Sequence, residues 1–335
     1  MSFADTPTML IKNARIDGHP VDLRIDHTVQ AMARHLEVAP NETVLDARGG
    51  ELLPGLHDHH IHLFAAAAAH DSVDCNVGSG TLSQCRALLE ARLKRATGND
   101  WIRGVDYQEQ QVGELDRWIL DELCPTRPVR IQHRSGKVWV CNSLALRELG
   151  FKDTELIDGL ERSSRGLLTG RIVRRDRLLA ERLKHAKASR RPNITAYSRQ
   201  LARYGIVGIT DTSASNTTDT LADFQHLSDG GELLQHFSLM GSDELDSGYL
   251  KILLDEDRLP DLANLVGRIN QARRKGRNVA FHCVTHLELV FALAALAEAA
   301  PCEAGFDRIE HGAVVNDEMA HRLADLGLPV ITQPG

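Results

Sequence analysis

The chain has 335 residues, of which 42% are hydrophobic and 25% are charged, proportions typical of a soluble globular protein. Its formal net charge of −7 provides no excess of basic residues for nucleic acid, which we exclude as a partner. A chain of this length fits one large barrel-type domain with an appendage, or two ordinary domains.

The sequence also favours a cytoplasmic protein that does not enter a membrane. Residues 1–18 lack a basic stretch leading into an apolar core, so they do not predict a signal peptide. The apolar run LELVFALAALAEAA at 287–300 is too short and too acidic to span a bilayer. The six cysteines form no CxxC pair, which favours reduced thiols over a disulfide framework.

Residues 8–50 contain three predicted β segments, TMLIKNARI, VDLRID and ETVLDARGG, separated by Gly, Pro and Asn. No segment of this region is a helix long enough to cover a sheet. We therefore expect residues 1–51 to form a small β-sandwich portion.

From Leu52 to residue 335, short apolar strands alternate with amphipathic helices, which is typical of an α/β fold with a parallel sheet. Asn316 and Gly327, for example, suit the start and end of a helix over 316–327. A closed (β/α)8 barrel has eight strands, and the chain ends where the eighth would begin. The seven predicted strands cover 52–62, 205–212, 234–240, 249–255, 278–284, 308–315 and 328–334.

Residues from about 75 to 200 interrupt this alternation. We interpret them as a long insertion between the first and second barrel strands. Insertions after a barrel strand lie on the C-terminal face, where active sites are found, so this segment is expected to shape the substrate pocket.

The stretch HDHHIH at 57–62 holds four histidines. Side chains alternate between the faces of a strand, so His60 and His62 point to the same side as Asp58. His57 and His59 point the other way. Two imidazoles at i and i+2 are close enough to bind one ion, although an HxH pair alone is equally compatible with chance in a histidine-rich chain.

Three further residues lie on later predicted strands. Lys251, His282 and His311 are separated by 31 and then 29 residues, roughly one β/α repeat each. That spacing places them on the same rim of a barrel. Three such positions in register, one of them a lysine in an apolar strand, favour a functional cluster over separate core histidines.

The sequence LLPGLHDHHIHL at 52–63 resembles the first-strand motif of the amidohydrolase superfamily, commonly PGxxDxHxH. The segments WIRGVDY, RPVRIQHRSGKVWVCNSLALRELG, GIVGITDT, YLKILLD, AFHCVTH and RIEHGAVVNDE follow in the order of its family 3 branch, which includes N-substituted formamide deformylases. The resemblance covers essentially the whole chain.

This resemblance implies a metal-dependent hydrolase on a (β/α)8 TIM barrel with one or two divalent ions, zinc in the first place and iron or manganese as alternatives. His60 and His62 would bind one metal, and a carbamylated Lys251 would bridge two. His282 and His311 would hold the second metal. A metal-bound hydroxide would then attack an amide-like carbonyl.

The chain also departs from the family pattern. The eighth-strand aspartate that binds metal and moves the proton has no counterpart, so the C-terminal part of the family fold is expected to be missing. Lys137 stands where a Gly-His motif is common, and His286 stands where an aspartate often follows the fifth-strand histidine. With Asp211, which could line the pocket or cap a helix, these two residues are the candidate substrate contacts.

Alternatives remain for both the site and the function. HCVTH at 282–286 could form a helical zinc pair, but no helix signal precedes His282, and Cys283 is interpreted as a packing residue. The expected activity is hydrolysis of a C–N bond in an amide, cyclic amide or formamide-like small molecule, with a homodimer as the possible assembly. A truncated or degenerate amidohydrolase without turnover is the alternative, and an ester, carbamate or C–halogen bond would also suit the same site.

Overall fold

A computed structural model describes residues 8–26, 28–96, 101–186, 191–301 and 306–332. The chain divides into two compact units, Met1–His57 and Asp58–Gly335. The boundary expected from the sequence, after residue 51, lies slightly earlier than this division.

The first unit contains one four-stranded sheet in the described residues, with the order β3-β2-β1-β4. Strands β1 and β2 pair antiparallel, as do β2 and β3, whereas β4 pairs parallel with β1. A small core of Ile11, Ala14, Val21 and Leu23 covers one face. The sequence did not predict β3, because its VQAMA segment holds a single β-branched residue. The four strands are β1 (Met9–Ile16), β2 (His19–Ile25), β3 (Val29–Ala33) and β4 (Thr43–Asp46).

The second unit alternates strands and helices, as its sequence pattern predicts. Its first half contains β5 (Leu56–Ile61), α1 (Leu63–His70), β6 (Val73–Asp74), α2 (Leu82–Arg95), β7 (Ile102–Tyr107), α3 (Glu109–Val112), α4 (Arg117–Leu123), β8 (Val129–His133), β9 (Val138–Cys141), α5 (Ser143–Glu148), β10 (Leu160–Arg162), β11 (Leu168–Val173) and α6 (Asp176–His185). Its second half contains α7 (Ile194–Arg203), β12 (Ile206–Asp211), α8 (Thr218–Asp229), β13 (His236–Leu239), β14 (Leu250–Leu253), α9 (Leu262–Arg274), β15 (Val279–Cys283), α10 (His286–Glu298), β16 (Arg308–His311), α11 (Asp317–Asp325) and β17 (Val330–Ile331).

Seven of these strands correspond to the seven predicted for the barrel. They form a three-stranded sheet, β13-β12-β5, and a four-stranded sheet, β14-β15-β16-β17, whose neighbours are parallel. A single parallel bridge between Gly241 and Leu250 lies between the two sheets. Within the described ranges the strands do not close into one sheet, and the last two residues of the predicted strand 328–334 lie outside those ranges.

Local sequence signals account for the helices between these strands. Asn316 caps α11, where its side chain accepts a hydrogen bond from the Met319 amide, and Gly327 follows the helix in the left-handed conformation. The predicted helix over 316–327 is thereby confirmed. None of the helices in the described segments is long and apolar enough to cross a membrane. The cytoplasmic location stays a prediction.

The segment after α1 builds a sheet of its own. Six strands lie in the order β10-β11-β9-β8-β7-β6, with β6, β7 and β8 parallel and the other pairs antiparallel. Two apolar clusters cover this sheet. Their last members along the chain are Leu183 and Ala186. Ile194 and Leu201 of α7 instead pack with Ile61 and Leu63. The expected end of the insertion near residue 200 therefore falls within a helix that packs against β5 and α1.

The six-stranded sheet predicts a specific packing defect. A methyl group on Gly104 of β7 would lie 2.6 Å from the Cys75 sulfur and 3.0 Å from the Ile131 side chain, both buried. We expect Gly104→Ala to lower the free energy of unfolding by about 1–3 kcal/mol, measured by urea denaturation. Gly267→Ala in α9 is the control, because nothing lies within 4 Å of the added carbon. Equal midpoints for the two variants would contradict this account of the sheet.

Candidate active site

The first part of the site is the C-terminal end of β5. Ile61 and Leu63 are buried in the apolar cluster that includes α7 and α8. Because strand residues alternate, His60 and His62 project to the opposite side. Their ring centroids are 5.6 Å apart in an edge-to-face arrangement. The geometry agrees with the side predicted for this pair.

The second part comes from the ends of β15 and β16. Phe281, Cys283 and Ile309 are buried on the face that packs against helices, so His282 and Glu310 project to the other face. The burial of Cys283 agrees with its interpretation as a packing residue. Continued alternation would turn His311 toward the helices as well.

His311 instead has a φ of 68°, in the left-handed region that few residues other than glycine adopt. The turn brings its ring to 4.6 Å from the His60 ring and 4.6 Å from the His282 ring, measured between centroids. Two consecutive residues, Glu310 and His311, thus both reach the histidine cluster. Strained backbone of this kind is concentrated at functional sites.

A buried carboxylate orients His60. Glu310 has no exposed surface, and its Oε2 atom forms a short hydrogen bond with the His60 Nδ1 atom. Its Oε1 atom accepts a 2.5 Å hydrogen bond from the Arg308 Nε atom. Burial acts to raise the pKa of Glu310, but the hydrogen bond from His60 and the charges of Lys251 and Arg308 outweigh it and hold that pKa below its usual value.

His62 is oriented by a different network. Its Nδ1 atom lies 2.8 Å from the Ser213 hydroxyl. The Ser213 amide donates to the Asp211 carboxylate over 3.0 Å, and that carboxylate also accepts from the Leu63 amide over 2.7 Å and from the Asn216 side chain over 2.8 Å. Asp211 is 1% exposed. Its hydrogen bonds join the start of α1 to the end of β12, and its contact with substrate stays a prediction.

Lys251 of β14 is the fifth member of the cluster. It is 4% exposed, and its Nζ atom lies 4.0 Å from the Glu310 Oε2 atom without a hydrogen-bond partner among the described residues. Burial lowers the pKa of its ammonium to about 8, against the opposing attraction of Glu310. The lowered pKa makes the neutral form of this amine more accessible than in an exposed lysine.

Two of the histidines, His282 and His62, are suited to bind a metal as neutral ligands. Burial lowers the pKa of His282 to about 4, and the nearby charges of His311 and Lys251 act in the same direction. Burial lowers the pKa of His62 as well. Metal ions bind the neutral imidazole, so no proton must be displaced near pH 7.

The donor set fits a divalent ion by its chemistry: several imidazoles lie next to a buried amine that lacks a hydrogen bond among the described residues. In the described part of the chain, however, no three His, Cys, Asp or Glu side chains surround a common point as metal ligands do. The imidazole rings contact one another directly, with two centroid separations of 4.6 Å. The metal centre therefore belongs to the proposal below.

The remaining candidates lie apart from this cluster in the described contacts. Lys137 is exposed in the turn between β8 and β9, where its backbone contacts Ser135 and Arg174. His286 is exposed at the first position of α10, after its cap Thr285. This helix begins after His282, which argues against a helical 282–286 zinc pair. The roles of Lys137 and His286 in substrate binding stay predictions.

Sequence reasoning did not identify Arg308, Glu310 or Ser213 as parts of the site. A signal was present for the first two: in RIEH, two charged residues flank an isoleucine on a short buried strand. Period-two alternation then places both charges on the face opposite the core. Ser213 carried no comparable signal, since its contact with His62 spans 151 residues.

The second unit is an α/β fold of parallel strands and intervening helices, and comparison with known families assigns it. The sequence model of the Amidohydrolase family, in its family 3 branch, matches residues 43–335, and the chain belongs to that family.

Individual relatives show how far the similarity extends. The chain is 25% identical over 354 residues to an N-substituted formamide deformylase of Arthrobacter pascens, covering 89% of this chain and 65% of that protein's length. Two solved structures share the fold, both described as uncharacterized metal-dependent hydrolases. The one from Pyrococcus furiosus has 20% identity and a TM-score of 0.67, covering 98% of this chain and 77% of its own. The one from Pyrococcus horikoshii OT3 has 18% identity and a TM-score of 0.68, covering 98% and 74%.

The Asp211 network makes a prediction about stability. In the wild type, backbone N–H groups donate to both carboxylate oxygens of Asp211. Asp211→Asn replaces one of these oxygens by an NH2 group, so two donors face each other. We expect a loss of about 1–3 kcal/mol in the free energy of unfolding. Urea denaturation measures it, with Asp223→Asn on the exposed face of α8 as control. An unchanged midpoint for Asp211→Asn would show that this carboxylate does not hold α1 and β12 together.

Proposed function

We propose that this chain is a metal-dependent hydrolase that cleaves the C–N bond of an amide, cyclic amide or formamide-like small molecule. One observation carries the proposal: His60, His62, His282 and His311 meet next to the buried amine of Lys251 at the ends of separate strands. Nitrogen donors drawn from several strand ends are suited to a hydrolytic metal site, and isolated core histidines would not converge in this way.

A (β/α)8 barrel is the architecture that best accommodates these contacts. Glu310 and Arg308 of β16 contact His60 and the His59 carbonyl of β5, although β5 and β16 belong to different sheets. In an eight-stranded barrel the sixth strand lies three positions from the first, so the inward-facing side chains of the two can meet in the interior. Contacts between inward-facing side chains of those strands support a curved sheet that surrounds the site.

His60 and His62 would hold one ion and His282 and His311 a second, and Lys251 would supply a carboxylate ligand once its neutral amine has added carbon dioxide and released a proton. A bound divalent ion would supply Lewis acidity toward the substrate carbonyl and lower the pKa of a water molecule. Glu310 holds the His60 ring, and the Ser213 hydroxyl holds the His62 ring. The buried strand ends exclude water from the Lys251 side of the cluster.

The substrate class rests on the similarity to the formamide deformylase, of which the chain spans less than two thirds. An ester, carbamate or C–halogen substrate would use the same site, because the fold and the metal ligands do not select the leaving group. A small-molecule substrate follows from any of these reactions. The possible homodimer stays a prediction.

Metal content is the direct test of the proposed function. We expect the purified protein, supplied with zinc, iron or manganese and with bicarbonate, to retain at least about one ion per chain after gel filtration, measured by elemental analysis. Intact-mass measurement under native conditions should show the added mass of one carbon dioxide, and Lys251→Arg should lose it. Less than one ion per chain in the wild type would refute a metal-dependent hydrolase.

Strand alternation makes a finer prediction for the metal site. His60→Ala or His62→Ala should abolish metal retention, because each removes a donor from the cluster. His57→Ala should leave most of it, since alternation points that residue to the other side of β5. Equal loss in all three variants would contradict the assignment by alternation.

The reaction class is tested with a panel of N-substituted formamides, cyclic amides and simple esters. We expect release of amine from at least one amide at a rate that requires added metal, while His282→Ala, which loses a metal donor, gives the background rate. Turnover of esters alone would contradict C–N bond hydrolysis and indicate an esterase. Turnover that is independent of both metal and His282 would refute the proposed function.

A further inference from the structure

The two histidines of the HIH motif are held by chemically different partners. His60 contacts a carboxylate with no exposed surface, whereas His62 contacts a serine hydroxyl. A carboxylate only accepts hydrogen bonds, but a hydroxyl can donate or accept. The two partners therefore place different constraints on which ring nitrogen carries the proton.

For His60 the constraint is complete. A neutral imidazole has one N–H group, and a carboxylate at Nδ1 requires that the proton be there. The lone pair is then on Nε2, the nitrogen available to a metal ion. Carboxylates in this position are known to fix the tautomer and the ring orientation of metal-binding histidines. Ser213 imposes no such requirement on His62.

The carboxylate is itself held from its other side. The Arg308 Nε atom donates to Glu310 Oε1 over 2.5 Å, and the Arg308 Nη2 atom donates to the His59 carbonyl over 2.8 Å. The Arg308 guanidinium lies 5.1 Å from the centre of the Tyr249 ring. Since arginine only donates, it fixes which Glu310 oxygen remains for His60.

We infer that Glu310 is a positioning residue that keeps the proton of His60 on Nδ1 and presents Nε2 as a metal donor, with Arg308 fixing the orientation of Glu310. The inference rests on the proposed function for its link to metal. It makes His60 the preorganised member of the HIH pair. It also means that residue 310 must accept a hydrogen bond from His60, and that its negative charge alone is not sufficient.

Glu310→Gln tests that direction with almost no change in shape. Arg308 donates only, so the amide oxygen of the new side chain turns to Arg308 and its NH2 group faces His60 Nδ1. The proton of His60 then moves to Nε2, which no longer offers a lone pair. We expect zinc affinity, measured by competition with a chromophoric chelator, to fall about 10- to 100-fold.

A matched control lies on the same segment. Asp307 is also a buried carboxylate paired with an arginine, Arg273, but it precedes β16 at the opposite end from the histidines. Asp307→Asn should leave zinc affinity within about twofold of the wild type. Urea midpoints for both variants show whether each remains folded at the temperature of the titration.

The double variant Arg308→Met with Glu310→Gln separates hydrogen-bonding direction from charge. Without the arginine, the amide is free to turn its oxygen toward His60, so we expect part of the lost affinity to return. A residue needed only for packing or charge would give a further loss. No recovery in a folded double variant would overturn the inference.

Nitrogen-15 NMR of the metal-free protein gives a readout that does not depend on metal. We expect the His60 ring to carry its proton on Nδ1 in the wild type and on Nε2 in Glu310→Gln. Wild-type protein with Nε2–H, or unchanged affinity in Glu310→Gln, would overturn the positioning role. If the wild type shows Nδ1–H but binds no metal, the proposed function fails while the effect of Glu310 on His60 stands.

Discussion

The site depends on removing Glu310 from water completely. A carboxylate with no exposed surface requires partners for both oxygens, and the chain supplies Arg308 for one and His60 for the other. The contact with Glu310 in turn fixes the ring of His60 on β5 against β16, 250 residues later in the sequence. The cost of burying this one charge is thereby offset by the same contacts that bring the distant strand ends into register.

The apolar core makes this arrangement possible because each strand has one face packed against helices and one face turned toward the site. Ile61 and Leu63 on β5, and Phe281 and Cys283 on β15, hold the strands against helices. The alternate positions carry the imidazoles. Helix packing therefore sets the spacing of the site, and Asp211 adds a polar connection between α1 and β12 at the same level.

Strand alternation groups His60 with His62, and the repeat spacing groups Lys251, His282 and His311 on one rim. Alternation alone would turn His311 toward the helices, and its left-handed backbone is what brings the ring to His60 and His282. The Asp211 hydrogen bonds and the six-stranded sheet were also not predictable, because they depend on pairings between residues distant in the sequence.

The backbone of His311 has an evolutionary consequence. A left-handed conformation costs a residue with a side chain about 1–2 kcal/mol relative to glycine, the residue that adopts it freely. Glycine at this position would relieve that cost and remove the imidazole. Selection for thermal stability alone would therefore favour glycine at this position, so a histidine retained here has to be maintained by something other than stability.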